Sequence, residues 1–146
     1  MDDYSALLEA AKTARSMAYA PYSHYKVGAA ILAENGIFYQ GANVENVAYP
    51  LGSCAEATAI SAMVMAGQQH IMAIAVIGSH TEICTPCGGC RQRLREFCHS
   101  SDIPIICASE CSTKILQTNL RALLPHSFGP KHLDGVVTLN NSSILE

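Results

Sequence analysis

Ser53-Cys54-Ala55-Glu56 and, further along, Pro86-Cys87-Gly88-Gly89-Cys90 are the stretches around which this chain is organised. Together they supply three thiolates and one carboxylate, placed where two helices could begin at the same point in space. Three protein ligands leave a tetrahedral zinc ion with one open position, which distinguishes a catalytic zinc site from a structural one. The Glu56 carboxylate, close to Cys54 in the chain, is well placed to handle the proton of a water in that position. These stretches predict a catalytic metal centre.

Length and composition predict one globular domain that associates with other subunits. The chain has 146 residues, enough for a real core, and we assign 1–146 to a single domain that begins with a helix over 1–20 and ends in a frayed tail over 137–146. Hydrophobic residues make up 49% and charged residues 14%, which favours burial of apolar surface between subunits. A net charge of −3 argues against a nucleic-acid partner.

Three features predict a cytoplasmic protein that neither spans nor binds a membrane. The N-terminal residues Met1-Asp2-Asp3 lack the basic region and apolar core of a secretory signal. The longest apolar run, over 71–77, is too short to cross a bilayer. Seven cysteines cannot form a complete set of intrachain disulfides, and the C-x-x-C spacing is typical of metal binding or redox chemistry in a reducing compartment.

Hydrophobic periodicity predicts alternating helices and strands. Asp2 or Asp3 can cap a helix that Pro21 stops at about Ala20. Asn35-Gly36 between two apolar runs predicts a β-hairpin. The further predicted elements are strands over 27–33, 37–40, 71–77 and 103–108, helices over 54–66 and 88–98, an edge strand over 114–117 and a helical turn over 120–124.

This order predicts an α/β fold. Helices that alternate with strands cover both faces of a sheet, so we expect a three-layer α-β-α sandwich with a mixed five-stranded sheet. The helices that begin near Cys54 and Cys87 both follow loops at strand ends, where α/β proteins place their sites. Free N–H groups at both helix starts would favour thiolate over thiol.

Two other interpretations of the cysteines remain open from the residues alone. Cys87 and Cys90 could form a redox dithiol with Cys54 merely buried, although Glu56 would then have no role. Alternatively, Cys84, Cys87 and Cys90 could join a fourth cysteine in a closed structural zinc site. Closed sites usually serve small domains that cannot fold otherwise, and this chain has core enough.

Cys54-Ala55-Glu56 followed by Pro86-Cys87-x-x-Cys90 resembles the zinc-dependent nucleoside and base deaminases. Four further motifs resemble the small homotetrameric cytidine deaminases, so that the resemblance covers about 19–130. These motifs are Pro21-Tyr22-Ser23-His24-Tyr25-x-Val27-Gly28-Ala29-Ala30, Gly41-x-Asn43-x-Glu45-Asn46, Tyr49-Pro50-Leu51-Gly52 and Leu124-Pro125-x-Ser127-Phe128-Gly129-Pro130.

The resemblance implies hydrolytic deamination of cytidine and deoxycytidine to uridine and deoxyuridine, a reaction of pyrimidine salvage. It implies one zinc ion per subunit on Cys54, Cys87 and Cys90, which would make hydroxide available near neutral pH. Glu56 would carry the water proton to ring N3 and to the departing ammonia, so we expect a raised pKa for its carboxyl. The alternative for Glu56 is a partner of the helix dipole.

The resemblance also implies a set of substrate-binding residues. Asn43 and Glu45 would hold the ribose hydroxyls, since an amide and a carboxylate together offer donors and acceptors; the alternative is an Asn-rich turn with a solvated Glu. Tyr25, where the family usually has Phe, would be an aromatic wall for the pyrimidine, or else a core aromatic. Ala55 belongs to the implied substrate site. Phe128 would be lent to the active site of a neighbouring subunit in a homotetramer.

One departure from the family is Ala57, where members often carry an Arg that offsets the three thiolates. Three thiolates on a divalent cation leave a net charge of about −1, which would weaken its Lewis acidity. Helix dipoles, or a hydrogen bond from Gln92 or Arg91, would have to compensate.

Other functions also remain to be weighed. A deaminase of modified cytosine nucleosides should lack the paired Asn43 and Glu45, and a deaminase of bases in RNA or DNA fits poorly with the negative charge. A rival from another class is a zinc protein that only scaffolds a partner.

Overall fold

The computed structural model describes residues 3–99 and 102–133 of the chain. Its helices and strands follow the predicted order closely. The elements are α1 (Ser5–Arg15), β1 (Gly28–Ala33), β2 (Phe38–Ala42), α2 (Ala55–Met65), β3 (Ile71–Gly78), α3 (Gly88–Glu96), β4 (Pro104–Ser109), β5 (Ile115–Asn119) and α4 (Leu120–Leu123), with short 3-10 helices at Tyr49–Leu51 and Pro130–Leu133.

The strands form one mixed five-stranded sheet in the order β2-β1-β3-β4-β5. β3 and β4 run parallel, and α3 makes the crossover between them; the other neighbours are antiparallel. β1 and β2 form the predicted hairpin, in which Gly36 takes the positive φ of 79° that a tight turn requires. The predicted sheet is therefore confirmed.

Helices cover both faces of this sheet. Side chains of a strand alternate between faces, so Ala29 and Ile31 of β1 pack with α2 and α3, whereas Ala30 packs with α1. The core on the first side includes Met63 of α2 and Leu94 of α3, both fully buried. The three-layer α-β-α sandwich predicted from the element order is thus confirmed.

Two glycines let the helices approach the sheet closely. A Cβ at Gly28 would overlap the backbone of Ala11 in α1, and a Cβ at Gly41 would lie 2.9 Å from the Cα of Ala59 in α2. Only glycine permits backbone contacts this close. Gly41 therefore sets the distance between β2 and the helix that begins with the predicted site residues.

The first helix is shorter than predicted, because it ends at Arg15 and not at about Ala20. Beyond it the chain turns outward, and Tyr19 pairs its backbone with the 43–45 segment: Tyr19 N donates to Asn43 O at 3.0 Å and Glu45 N donates to Tyr19 O at 2.8 Å. These long-range bonds replace the helical bonds that would have continued α1. The N-cap residue of α1 is Tyr4, without a side-chain cap hydrogen bond, so the prediction that Asp3 is the cap was wrong; Asp3 Oδ1, one residue earlier, accepts from Ser5 N at 2.9 Å. Asp2 and the predicted frayed tail over 137–146 lie outside the described residues.

The remaining boundaries differ from prediction by a residue or two at most ends. The largest of these differences are two residues, at the ends of β2, α3 and β5. Strand β5 continues to Asn119 because its backbone pairs with β4 up to Pro104. Gly67, with a φ of 81°, follows α2 as predicted. Across 3–99 and 102–133, the model contains no helix with the length and apolar character needed to cross a membrane.

Candidate active site

The three predicted zinc ligands meet where two helices begin. Cys54 is the N-cap residue of α2, Cys87 is the N-cap residue of α3, and Cys90 lies in the first turn of α3. Their sulfur atoms all lie within 4.8 Å of one another. The prediction that the two helices begin at one point in space is confirmed, and Cys84 is not part of this cluster.

The donor set fits one tetrahedral zinc ion. Three sulfur atoms this close can occupy three corners of a tetrahedron and leave the fourth open. Burial raises the pKa of the Cys54 and Cys90 thiols, whereas a hydrogen bond from the Cys90 backbone lowers the pKa of Cys87. Burial favours the protonated thiols, whereas a bound cation favours the thiolates. A metal ion therefore complements this cluster.

Glu56 lies beside the cluster, in the first turn of α2. Its side chain is buried, with 4% of the residue exposed. Burial raises the pKa of its carboxyl, opposed by backbone and Cys90 hydrogen bonds and, last, by the Arg93 guanidinium. The direction agrees with the expectation for a group that both accepts and donates protons, although the proton-shuttle role itself stays a prediction.

Neither Arg91 nor Gln92 donates a hydrogen bond to the sulfur atoms. Arg91 Nε donates to Pro86 O at 2.7 Å and its Nη1 to Leu123 O at 2.8 Å, so it braces the turn that carries Cys87. Gln92 Nε2 donates to Phe128 O at 2.9 Å. Of the two ways of compensating for Ala57, a hydrogen bond from Arg91 or Gln92 to the sulfur atoms is thus not observed, and compensation by the helix dipoles stays a prediction.

A cavity of about 600 Å³ opens above the metal cluster. The residues that line it include Cys54, Glu56 and Cys87 as well as Asn43 and Glu45. Ala55, fully buried at the start of α2, also lines it. The volume lies within the range of sites that enclose a small organic ligand.

Asn43 and Glu45 both line the cavity and are both held by the 22–27 segment. Asn43 Oδ1 accepts from Val27 N at 2.8 Å, and its Nδ2 donates to Tyr25 O at 2.9 Å. An amide nitrogen carries two hydrogens, so one N–H of Asn43 remains for a ligand.

The Glu45 carboxylate keeps one oxygen for a ligand. Its Oε1 accepts from Tyr22 N at 3.0 Å and from Ser23 N at 3.1 Å. Hydrogen bonds from Ser23 lower the pKa of this carboxyl, so the group is an acceptor at neutral pH. The ribose contacts predicted for Asn43 and Glu45 stay predictions, but both side chains have capacity left for hydroxyl groups.

Tyr25 lies behind the cavity wall, since the residues that line the cavity include Cys84 but not Tyr25. Burial is the main cause that raises the pKa of Tyr25 to about 12, and the interaction of its hydroxyl with Cys84 raises it further. Its ring lies 5.3 Å from that of His80. Tyr25 therefore supports Cys84 in this subunit, and direct contact with a pyrimidine stays a prediction.

Phe128 does not line the cavity of its own subunit and is 56% exposed. Helix α3 holds the loop that carries it: Gln92 donates to Phe128 O, and Arg95 Nε donates to Ser127 Oγ at 3.0 Å. The His132 ring stacks on Phe128 with centroids 5.0 Å apart.

Sequence reasoning missed these supports for the Phe128 loop. Gln92 and Arg95 are three residues apart and so share one face of α3. Arg95 is only 5% exposed although it is charged. A polar pair at helical spacing was the available signal, but it could not identify the loop as its partner.

Comparison with known proteins gives concordant results. The family model for the cytidine and deoxycytidylate deaminase zinc-binding region matches residues 1–123. A cytidine deaminase of Sporosarcina psychrophila is 40% identical over 131 residues, which is 90% of this chain and 95% of that protein. A cytidine deaminase of Mycobacterium tuberculosis H37Rv is 37% identical over 127 residues, or 87% of this chain and 90% of that protein. The crystal structure of cytidine deaminase from Burkholderia pseudomallei has a TM-score of 0.81 and 40% identity, covering 87% of this chain and 100% of that one.

Proposed function

This chain belongs to the cytidine and deoxycytidylate deaminase family, and from that premise we propose that it hydrolyses cytidine and deoxycytidine to uridine and deoxyuridine. In this reaction one water molecule replaces the exocyclic amine on C4 of the cytosine ring, and ammonia leaves. The products are the corresponding uracil nucleosides, so the reaction serves pyrimidine salvage.

One observation carries this proposal. A buried carboxyl, Glu56, lies beside three clustered thiols and lines a cavity that Asn43 and Glu45 also line. Such a cavity offers both a proton carrier and polar groups for hydroxyls. A nucleoside, with its reacting base and its polar sugar, needs both.

The residues divide the work as follows. Zinc bound by Cys54, Cys87 and Cys90 would supply a water activated for attack on C4. The Glu56 carboxylate would accept one proton from that water and donate it to ring N3, and would then take the remaining proton of the hydroxyl added at C4 and pass it to the departing amine. Its burial favours this exchange, because a raised pKa brings the carboxyl closer to the pH at which it works.

The sugar end explains why two nucleosides share the site. Glu45 Oε2 and the second N–H of Asn43 are available to one hydroxyl, the first as acceptor and the second as donor. Both cytidine and deoxycytidine carry the 3′-hydroxyl, so both can satisfy this pair. We therefore expect turnover of both substrates.

The test compares the wild type with Glu56→Gln. The amide has nearly the same shape but cannot carry a proton, so we expect turnover to fall by a factor of about 100 to 10,000 while zinc content is kept. Glu96→Gln, an exposed position at the end of α3, is the matched control and should retain full activity. Loss of cytidine absorbance, ammonia release and zinc content are measured on all three proteins.

Each result of this comparison has a distinct meaning. Turnover in the wild type and in the control, but not in Glu56→Gln, supports the deaminase. Zinc in all three proteins without any turnover would refute plain cytidine as substrate and favour a zinc protein that scaffolds a partner. Undiminished turnover in Glu56→Gln would exclude Glu56 as the proton carrier.

We further propose that the chain works as a homotetramer in which Phe128 completes the active site of a neighbour. Phe128 is exposed, and the loop that carries it is held firmly by α3. Apolar side chains near the cavity are also exposed, among them Tyr49 at 77% and Leu51 at 71%. Exposed apolar area of this kind favours subunit contacts.

Mixing two inactive variants tests the shared site. In a mixed tetramer of Glu56→Gln and Phe128→Ala subunits, some sites combine an intact Glu56 with an intact Phe128 from the neighbour. We expect activity to return after subunit exchange, and sedimentation should give the mass of a tetramer. If the mixture stays inactive although the subunits exchange, Phe128 does not act across an interface.

We place this enzyme in the cytoplasm. Its metal ligands are three thiols that must stay reduced, which suits a reducing compartment. Cell fractionation with thiol labelling checks this: labelled free cysteines should occur in the cytosolic fraction.

A further inference from the structure

The segment of residues 25–27, between α1 and β1, is held by side chains from three distant parts of the chain. At its centre, Lys26 N donates to Ser79 Oγ at 3.0 Å, and Lys26 O accepts from Arg15 Nε at 3.2 Å. Ser79 Oγ is also 3.1 Å from Lys26 O. Both backbone polar groups of Lys26 are thus bonded to side chains.

Asn43 holds the residues on either side of Lys26. Its Nδ2 donates to Tyr25 O and its Oδ1 accepts from Val27 N, while its own N–H donates to Val27 O at 3.2 Å. The amide plane of Asn43 is therefore fixed by the position of the 25–27 segment. A shift of that segment would rotate the remaining N–H of Asn43 away from the cavity.

Arg15 connects this segment to the carboxyl ends of two parallel strands. Its Nη2 donates to Ser79 Oγ at 2.9 Å, and the same nitrogen pairs with the Glu110 carboxylate. Ser79 follows β3 and Glu110 follows β4. The side chain of Arg15 is 13% exposed and that of Glu110 is 51% exposed, so the guanidinium is more buried than the carboxylate that it pairs with.

Charge and shape both favour a fixed position for the guanidinium. Arg15 is the last residue of α1, and Gly28 lets that helix end lie against β1, because a Cβ at position 28 would overlap Ala11 O and approach Arg15 Cβ to 2.7 Å. The planar guanidinium donates in several directions at once, toward Lys26 O, Ser79 Oγ and the carboxylate. A lysine could not make all three contacts from one ammonium position.

We propose that Arg15 is a positioning residue for the sugar end of the cavity, which acts through Lys26 to orient the amide of Asn43. This inference rests on the proposed function, because it assigns the oriented N–H of Asn43 to a sugar hydroxyl of the nucleoside. Arg15 itself does not line the cavity, and its hydrogen bonds go to Lys26, Ser79 and Glu110 and not to Glu56 or the metal ligands. We therefore expect its effect on substrate binding and not on the chemical step.

The test compares Arg15→Met and Arg15→Lys with Lys12→Met. Lys12 lies on the same helix and is exposed, so its replacement controls for loss of a positive charge on α1. For Arg15→Met we expect kcat/KM for cytidine to fall about tenfold, mainly through KM, with zinc content unchanged. Arg15→Lys should lie between the wild type and Arg15→Met.

A substrate without the 2′- and 3′-hydroxyls separates positioning from general damage. For 2′,3′-dideoxycytidine, Arg15→Met should change kcat/KM by less than about twofold, since the 3′-hydroxyl assigned to Asn43 is absent. A merely structural role would lower the rate for both substrates by the same factor, and that result would overturn the proposal.

Hydrogen exchange gives a readout that needs no turnover. Amide protons over 22–30 should exchange faster in Arg15→Met than in Lys12→Met, while the 88–96 region of α3 stays unchanged. Unchanged exchange over 22–30 would overturn the proposal even if the wild type is active. If the wild type does not deaminate cytidine, the proposed function fails, and the exchange data alone decide whether Arg15 fixes the segment.

Discussion

Replacement of Gly41 by alanine should lower both the free energy of unfolding and the catalytic activity. Gly41 lies on β2, two residues before Asn43, and its Cα faces the backbone of α2. A methyl group there would overlap Ala59 N and Ala55 O and lie 2.9 Å from Ala59 Cα. Backbone atoms cannot rotate away as a flexible side chain can, so β2 and α2 must separate.

The size of the effect follows from this overlap. Ordinary carbon contacts lie at about 3.5–4.0 Å, so the helix must move by roughly 1 Å. Overpacking against a well-packed backbone costs about 3 kcal/mol, which lowers Tm by about 10 °C for a chain of this length. A displacement of about 1 Å between Glu56 on α2 and the Asn43 segment that follows β2 should lower kcat/KM about 100-fold.

Thermal unfolding at fixed protein and zinc concentrations, together with cytidine turnover, measures both effects. Gly52→Ala is the matched control for stability, because a Cβ at that position would lie 3.4 Å from its nearest neighbour, Tyr49 O, and its φ is −62°. We expect the control to change the free energy of unfolding by less than about 0.5 kcal/mol. If Gly41→Ala keeps the Tm and the turnover of the wild type, the close approach of β2 and α2 does not set the geometry of the site.

The remaining predictions concern two positions near the site. Ala57→Arg, at a half-buried position in the first turns of α2, should leave kcat/KM within about tenfold of the wild type, or roughly 1.4 kcal/mol, with zinc content unchanged. A collapse of kcat/KM or of zinc content would mean that the added side chain repacks the cluster. Tyr25→Phe removes only the hydroxyl that interacts with Cys84. Because the pKa of Tyr25 is raised to about 12, this hydroxyl is protonated at every pH between about 6 and 9, so the pH profile of kcat/KM should keep its shape there and its height should change by less than about tenfold. A new titration in that range would show that Tyr25 is ionised in the active protein.

The cysteine arrangement distinguishes among the interpretations that the residues alone left open. A closed site built on Cys84, Cys87 and Cys90 requires Cys84 in the cluster, but the clustered sulfur atoms belong to Cys54, Cys87 and Cys90. Cys84 is not one of the clustered residues and instead interacts with the Tyr25 side chain. A bare redox dithiol would not require Cys54 at the same point or a buried Glu56 beside it.

By itself, the sequence determined the local structure and the chemical inventory. Short apolar runs predicted the strands, Asn35-Gly36 predicted the hairpin, and the motifs around Cys54, Cys87 and Cys90 predicted the donor set. These succeeded because periodicity, turn geometry and helix starts depend on residues close together in the chain. The resemblance of its motifs to a deaminase family rested on the same local patterns.

Only the tertiary structure decided where α1 ends, which groups hold Asn43, and what Arg15, Arg91 and Gln92 contact. Each depends on partners far away in the chain. Beyond Arg15, backbone hydrogen bonds to the segment near Asn43 replace helical hydrogen bonds. Gln92 donates to the Phe128 loop and not to the sulfur atoms. The local sequence alone leaves several possible hydrogen-bond partners of a polar group nearly equal in free energy. Packing of the sheet against its helices selects one of them, because an unpaired buried polar group costs about as much as the hydrogen bond it lacks.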